Sequence, residues 1–192
     1  MLLQLNHIKP YFQLFEDTDL KTLREVVDVD LYSYITITKL LLQELIARDA
    51  TLVAVSSAAG KIGVPYAAVY SASKHALHGF FDSLRLEVYM THPSSKMSIT
   101  TCVIGNIDTE SAKRVTAGKV RHPTRASPDD TALAIVTGAL RKQREVYFPR
   151  LEVTPIPYLR AFFPSLTDYL IVNSMEAPPN RDSSLPSGAG AN

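Results

Sequence analysis

Short, continuous apolar segments alternate along the chain with longer segments in which apolar residues recur every three or four positions. The runs Thr51–Ser56 and Ser98–Ile104 are typical of strands covered on both faces of a parallel sheet. Leu2–Leu5 and Glu145–Phe148 are predicted as two further strands. Because strands and helices alternate, the pattern predicts an α/β fold with a doubly wound parallel sheet.

The periodic segments between these strands predict helices. One extends from Leu20 to about Arg48 behind the capping sequence Asp17-Thr18-Asp19, and a second extends from Ala67 to about Tyr89. A third begins at Ser127, where the cap is followed by proline at the first helical position, and continues to about Lys142. Residues 106–121 are predicted as a loop with one short helix.

The chain divides by composition into a domain and a C-terminal extension. Residues 1–150 are predicted as a single α/β domain, and residues 151–175 as one or two short helices broken by proline. The apolar residues between 155 and 172 indicate contact with a partner or a membrane surface. Residues 176–192 are rich in Pro, Ser and Gly, so we predict a disordered tail.

The charge balance narrows the class of partner. Twenty basic and 19 acidic side chains leave a net charge of +1, which argues against a nucleic acid partner and favours a small molecule. The single cysteine, Cys102, lies in an apolar strand and is interpreted as a buried hydrophobic residue. No apolar run reaches the roughly 18 residues of a membrane span, and Met1–Leu5 lacks the features of a signal peptide.

Candidate chemistry lies at the start of the second helix. Tyr70 and Lys74 are four positions apart, so a helix places the phenol and the ammonium on one face. A neighbouring positive charge favours the phenolate, so we expect Lys74 to lower the pKa of Tyr70. Ser57 ends a predicted strand 13 positions earlier and offers a hydroxyl to the same substrate oxygen. This set predicts proton exchange with a C–OH or C=O group.

Three loops each follow a predicted strand. They contain residues 6–8, 56–57 and 105–109, and the carboxyl ends of parallel strands meet at one edge of a sheet. We therefore expect these loops to form a single site.

Several stretches together resemble the short-chain dehydrogenase/reductase family, and within it the hydroxysteroid dehydrogenases, from about Leu2 to Phe148. The matching stretches are Leu5-Asn6-His7-Ile8, Val55-Ser56-Ser57 through Gly60-Lys61, Tyr70-Ser71-Ala72-Ser73-Lys74, and Cys102-Val103-Ile104-Gly105 through Ile107-Asp108-Thr109-Glu110. The resemblance implies a Rossmann-like fold and an oxidoreductase that interconverts a secondary hydroxyl and a ketone on a steroid-like apolar substrate. It implies NADP(H) as the cofactor, with NAD(H) as the alternative, and a homodimer in the endoplasmic reticulum, with secretion or the cytoplasm left open.

The resemblance also implies roles for individual residues. Tyr70 is the general acid and base, Ser57 holds the substrate oxygen with Tyr70, and Lys74 contacts the nicotinamide ribose. The nicotinamide end of the cofactor lies along Ile107, Asp108 and Thr109. The adenosine half lies along Asn6, His7 and Ile8.

Two departures from the family pattern stand out. Asp30 occupies the place of a catalytic asparagine, and an ionised carboxylate only accepts hydrogen bonds whereas an amide also donates them. If Asp30 faces Lys74, the two charges would pair and activity would be reduced. The glycine-rich turn that receives a pyrophosphate is absent, so we expect an incomplete sheet without the family's first strands and a truncated product.

A second class of function follows from that truncation. A catalytically inactive chain would persist only as a dimerisation partner, through the helices at 20–48 and 67–89 that pair between subunits in the family. Other readings are weaker: His75 and His78 lack accompanying metal ligands, and the G-x-S-x-G pattern of a hydrolase is absent. We predict no metal site.

Overall fold

A computed structural model of the protein describes residues 1–121 and 123–178. Within these residues, four strands form one parallel sheet in the order β1-β2-β3-β4. The strands are β1 (Leu2–Leu5), β2 (Thr51–Ser57), β3 (Ser98–Ile104) and β4 (Glu145–Phe148). All four were predicted, and the spatial order of the strands follows their order in the sequence.

Helices connect the strands and follow the last one. They are α1 (Leu20–Val27), α2 (Ser33–Ala47), α3 (Ala68–Thr91), α4 (Glu110–Thr116), α5 (Pro128–Leu140), α6 (Arg150–Val153), α7 (Ile156–Phe162) and α8 (Pro164–Asn173). Two predicted caps are present: Asp19 accepts a hydrogen bond from the Thr22 amide, and Ser127 accepts one from the Asp130 amide. The structure has three short helices after β4, where the sequence predicted one or two.

A π-helical turn, Asp28–Tyr32, joins α1 to α2. The predicted helix over 20–48 is therefore right in extent, but its interruption was not predicted. The amide of Lys9 donates to Asp30 Oδ1 at 2.9 Å, and Ser33 Oγ donates to the carbonyl of Val29 at 2.5 Å. Each bond joins a residue of the π turn to a residue outside it, and single π turns are frequent at functional sites.

The sheet is covered on both faces, as the doubly wound prediction required. On one face, Leu52 and Ala54 of β2 pack against Leu77 and Phe81 of α3. On the other face, Val53 of β2 belongs to a second cluster, with residues of β3, α5 and β4. Its buried members are Val53, Cys102, Ile104, Ile135, Ala139 and Val146. The prediction that Cys102 is a buried hydrophobic residue is confirmed.

The segment after α8 returns to the body of the domain. Val120 and Met175 form an antiparallel bridge, the Glu176 amide donates to the carbonyl of Lys119 at 2.9 Å, and the Tyr66 hydroxyl donates to the carbonyl of Glu176 at 2.6 Å. The predicted disordered tail, residues 176–192, begins at Glu176, which is held by these bonds. Residues 179–192 lie outside the described residues. Within the described ranges, no helix combines the length and apolar character that crossing a membrane requires.

Candidate active site

The loops after β1, β2 and β3 meet at the carboxyl edge of the sheet around a cleft of about 610 Å³. The predicted convergence of these loops is confirmed. The predicted site residues that line the cleft are Asn6, His7, Ile8, Ser57, Tyr70, Lys74, Ile107 and Thr109.

Two predicted site residues are not among the residues that line the cleft. The carboxylate of Asp108 forms an ion pair with Lys113 of α4, at 3.0 Å. Its backbone amide donates to the carbonyl of Ala126 at 2.8 Å, which fastens the loop. Asp30 is fully buried within the π turn. Asp108 and Asp30 therefore hold elements that border the cleft.

Tyr70 and Lys74 lie one turn apart on α3, as the sequence predicted. Lys74 Nζ is 5.5 Å from the centre of the Tyr70 ring, and the lysine is only 2% exposed. Burial lowers the pKa of Lys74 to about 8, and the charge of Asp30 opposes this shift. The amine is therefore easier to deprotonate than an ordinary lysine.

The pKa of Tyr70 departs from the sequence-based expectation. Burial raises the pKa of Tyr70 to about 12, against the effect of a hydrogen bond with Ser57, and the charge of Asp30 raises it further. The predicted downward shift is wrong for this geometry because the loss of hydration disfavours the phenolate more than the surroundings stabilise it. Tyr70 is consequently a protonated phenol at neutral pH and a proton donor.

Ser57 is the last residue of β2 and caps the 3₁₀ turn Ala58–Gly60. Its Oγ accepts a hydrogen bond from the Ala59 amide at 3.1 Å. The backbone of Ser57 is extended, so the strand delivers the side chain to the edge of the sheet where the cleft opens. The hydroxyl proton remains available for donation to a second oxygen, because the bond to Ala59 uses Ser57 only as an acceptor.

Asp30 binds the backbone through one oxygen only. Oδ1 accepts from the Lys9 amide, whereas buried Oδ2 has no hydrogen-bond partner among the described residues. Burial raises the pKa of Asp30, and the positive charge of Lys74 opposes the rise. No ion pair within 4.0 Å joins Asp30 to Lys74 in the part of the chain that is described, so the direct pairing expected from the sequence is not formed.

Tyr34 of α2 is a cleft residue that the sequence analysis assigned only to the apolar face of a helix. Its hydroxyl lies 2.9 Å from the carbonyl of His7 and 3.2 Å from the carbonyl of Val55, and it can donate to either. The Tyr34 ring centre is 5.0 Å from Lys74 Nζ. One feature of the sequence could have indicated this position, namely a tyrosine on the apolar face of a helix. A buried tyrosine hydroxyl needs a hydrogen-bond partner, so its presence there indicates polar groups nearby.

The polar groups of the cleft suit a nicotinamide cofactor and a substrate carbonyl. Lys74 presents a buried amine that makes no ion pair within the described residues, so its N–H groups can donate to the hydroxyls of a ligand. Ser57 and Tyr70 add two hydroxyls in the same cleft. The Thr109 side chain already has a structural role. Its Oγ1 accepts a hydrogen bond from the Ala112 amide at 3.2 Å and so caps the N-terminus of α4.

Comparisons with known proteins identify the family of this chain. Residues 9–120 match the family described as short chain dehydrogenase. Hydroxysteroid 11-beta-dehydrogenase 1-like protein B of Xenopus laevis is 39% identical over 138 residues, which cover 72% of this chain and 46% of that protein. The 1-like protein of Gallus gallus is 41% identical over 150 residues, or 77% of this chain and 50% of that protein. The chain spans about half the length of these curated relatives.

A solved structure confirms the fold. A short chain dehydrogenase of Burkholderia cenocepacia, crystallised in complex with NADP, superposes with a TM-score of 0.75 at 20% identity. The superposition covers 89% of this chain and 68% of that chain. The doubly wound parallel sheet is thus the arrangement found in that enzyme.

Proposed function

This chain belongs to the short-chain dehydrogenase family, and on that premise we propose that its cleft interconverts a secondary hydroxyl and a ketone on a steroid-like apolar substrate with NADP(H). The observation that carries the proposal is the meeting of Ser57, Tyr70 and Lys74 in one cleft at the carboxyl edge of the sheet. A bound nicotinamide cofactor would supply the hydride in reduction and accept it in oxidation, while the protein supplies orientation and gives or takes the proton.

Ser57 and Tyr70 hold the substrate oxygen. In the reductive direction the Tyr70 phenol donates its proton to the carbonyl oxygen, and in the oxidative direction it takes the hydroxyl proton back. The raised pKa keeps the Tyr70 phenol protonated at neutral pH, which is the form that the donor role requires. The Lys74 amine orients a ribose, and its charge stabilises the phenolate that remains after proton donation.

The remaining predicted contacts divide between the two ends of the cleft. We assign Asn6, His7 and Ile8 to the adenosine half of the cofactor, and Ile107 and Thr109 to the nicotinamide end. Asp108 acts there through the backbone, since its carboxylate pairs with Lys113. NAD(H) is the alternative cofactor.

Apolar side chains that line the cleft support a steroid-like substrate. They include Val115, Val120, Pro123, Ile156 and Met175, and polar residues such as Arg121 and Glu152 also line the cleft. Apolar lining residues bind a rigid apolar ring system by burial, and the polar groups then fix its orientation.

The quaternary and membrane associations belong to the same proposal. Exposed apolar side chains on α2 and α3 support a homodimer through these helices: Leu40, Leu41, Leu86, Tyr89 and Met90. Exposed aromatic residues on α7 and α8 support contact with the endoplasmic reticulum membrane: Tyr158, Phe162 and Tyr169. The exposed α2 and α3 faces equally favour the second candidate function, an inactive chain that acts only as a dimerisation partner.

Turnover of a steroid ketone with NADPH tests the proposal, with Tyr70→Phe as the diagnostic variant. Tyr32→Phe is the control, because Tyr32 is 57% exposed and is not among the residues that line the cleft. We expect Tyr70→Phe to lower kcat by about 10²-fold or more and Tyr32→Phe to leave it unchanged. Undiminished turnover in Tyr70→Phe would refute the assigned role, and the absence of turnover in every form would favour the dimerisation partner.

A further inference from the structure

A cluster of four polar side chains lies beside the catalytic cleft and takes no part in the proposed reaction. Ser56 Oγ and His78 Nε2 share a hydrogen bond of 3.1 Å, and Lys61 Nζ donates to Glu145 Oε1 at 2.7 Å. His78 Nδ1 lies 3.6 Å from the same Glu145 oxygen. Ser56 and His78 are only 4% and 7% exposed.

This cluster surrounds the turn that Ser57 caps. Ser56 immediately precedes Ser57, and Lys61 immediately follows the 3₁₀ turn Ala58–Gly60. His78 also packs on the turn itself, because a Cβ built on Gly60 would lie 2.8 Å from the His78 ring. His78 therefore contacts the residue before Ser57 and Gly60 of the turn, and Glu145 binds Lys61, the residue that follows the turn.

The charged groups around His78 determine the protonation state and tautomer in which its imidazole binds Ser56. The ionisable groups that act on it are Glu145, Lys61 and Asp82, and the carboxylate of Asp82 is itself paired with Arg85 and Arg144. Burial lowers the pKa of His78, so the imidazole is neutral at pH 7. The Glu145 carboxylate near Nδ1 favours the tautomer with its proton on Nδ1, which leaves Nε2 to accept from the Ser56 hydroxyl.

The same three residue types form the nucleophilic triad of some hydrolases, but this cluster has no room for that chemistry. The Gly60 backbone covers the Ser56 hydroxyl, since a Cβ on Gly60 would lie 2.9 Å from Ser56 Oγ. A substrate carbonyl would need that space in order to be attacked. The cluster therefore acts on the neighbouring turn and not on a substrate.

We propose that His78 is a positioning residue that fixes the Ser57 hydroxyl in the cleft by clamping the turn Ala58–Gly60 through Ser56, Gly60 and the Glu145–Lys61 pair. The role of Ser57 in catalysis rests on the proposed function, whereas the clamp on the turn does not. A hydroxyl that binds a reacting oxygen must be held within a fraction of an ångström, so a loosened turn slows the reaction without preventing binding.

Amide hydrogen exchange tests the clamp directly. The Ala59 amide donates to Ser57 Oγ, and the Lys61 amide donates to the carbonyl of Ala58 at 2.9 Å, so both report opening of the turn. In His78→Leu we expect exchange at these amides to accelerate about tenfold, because one buried hydrogen bond is lost. In His78→Gln, whose amide reaches the Nε2 position, we expect most of the protection to return.

Two further variants keep the test decisive. Ser56→Ala removes the same hydrogen bond from the side of the turn, so it should reproduce the acceleration even if His78→Leu does not fold. His75→Leu is the control, because His75 is exposed on the same helix and, among residues 1–121 and 123–178, its ring bonds to the Ser71 carbonyl alone. Unchanged exchange at Ala59 and Lys61 in Ser56→Ala would overturn the proposal.

Kinetics separate this inference from the proposed function. If the chain reduces a ketone, His78→Leu should lower kcat about tenfold with an unchanged Kd for NADPH, and His78→Gln should restore kcat. If the wild-type chain shows no turnover, the proposed function fails, while the exchange experiment still decides whether the clamp exists. A His78→Leu variant with accelerated exchange and full kcat would contradict the positioning role.

Discussion

Lys74 and Asp30 are both buried and each shifts the pKa of the other, yet no ion pair of 4.0 Å or less joins them in the described ranges. Burial is the larger influence on both: it raises the pKa of Asp30 and lowers that of Lys74 to about 8. Burying these two ionisable groups without a direct ion pair therefore lowers the stability of the folded chain. Ionisable groups with such perturbed pKa values are frequent at functional sites.

Lys74→Met should stabilise the chain at pH 7 by about 1–3 kcal/mol, because the variant no longer buries a charged amine. Between pH 8 and 10.5 the unfolded lysine holds a proton that the folded lysine has lost, so wild-type stability rises with pH in this window. The variant should lack that rise. Urea unfolding at pH 7 and pH 9.5 measures both effects, with exposed Lys39→Met as the control.

A variant that is less stable than wild type at pH 7, or that retains the rise with pH, would show that Lys74 is not the buried cation described here.

Asp30→Asn should remove a different pH dependence. The folded pKa of Asp30 lies above its unfolded value near 3.8, so its contribution to stability is full below that pH and is lost as pH rises through the folded pKa. The asparagine keeps an oxygen for the Lys9 amide and has no such loss. Unfolding from pH 4 to pH 7 checks this, and exposed Asp28→Asn in the same π turn should retain the wild-type slope.

The same Asp30→Asn variant should also raise the turnover of an active form. An asparagine amide supplies the donor that an ionised aspartate lacks, which is the departure from the family pattern noted in the sequence. An unchanged kcat in steady-state assays would remove the link between Asp30 and activity.

Features set by local sequence were predicted, whereas features set by contacts between distant residues were not. The bounds of β3 and β4 and the caps at Asp19 and Ser127 follow from apolar runs and nearby polar side chains. Asp30 of the π turn accepts a hydrogen bond from the Lys9 amide, 21 positions away, and the bonds of the His78 cluster span 22 and 84 positions.

The direction of the Tyr70 pKa shows the same limit. The i, i+4 spacing with Lys74 is visible in the sequence, but the burial that raises the pKa of Tyr70 against the hydrogen bond with Ser57 is a property of the whole fold. The cleft position of Tyr34 likewise required the structure, because its spacing equally fits an ordinary core residue.

Gly60→Ala should destabilise the chain, because the added methyl would lie 2.8 Å from the His78 ring. Combining it with His78→Ala removes the contact with the imidazole and leaves the contact with Ser56 Oγ at 2.9 Å, so the double variant should lose less stability than the sum of the single losses. Denaturant unfolding of the four forms measures this coupling. Gly63→Ala is the control, because a Cβ there meets nothing within 4 Å, and simple additivity in the Gly60 cycle would contradict the predicted contact.

Tyr34→Phe should lower the free energy of unfolding by about 1 kcal/mol, because the buried carbonyls of His7 and Val55 lose their hydroxyl donor. Exposed Tyr32→Phe in the π turn should have little effect. Thermal or urea unfolding of the Tyr34→Phe and Tyr32→Phe variants distinguishes the loss of a buried hydrogen bond from a general effect of removing a phenol hydroxyl. Equal stability of Tyr34→Phe and wild type would argue against these bonds.

Titration of the folded 192-residue chain with NADPH tests the central claim most directly, because it reports the cofactor site without requiring a known substrate. The account predicts saturable binding to the wild type and a Kd at least about tenfold weaker in Lys74→Met, which loses a charged donor to the ribose. Lys39→Met should bind as the wild type does. A folded wild-type chain that shows no saturable binding, or an equal Kd in Lys74→Met, would contradict the assignment of this cleft as a nicotinamide site.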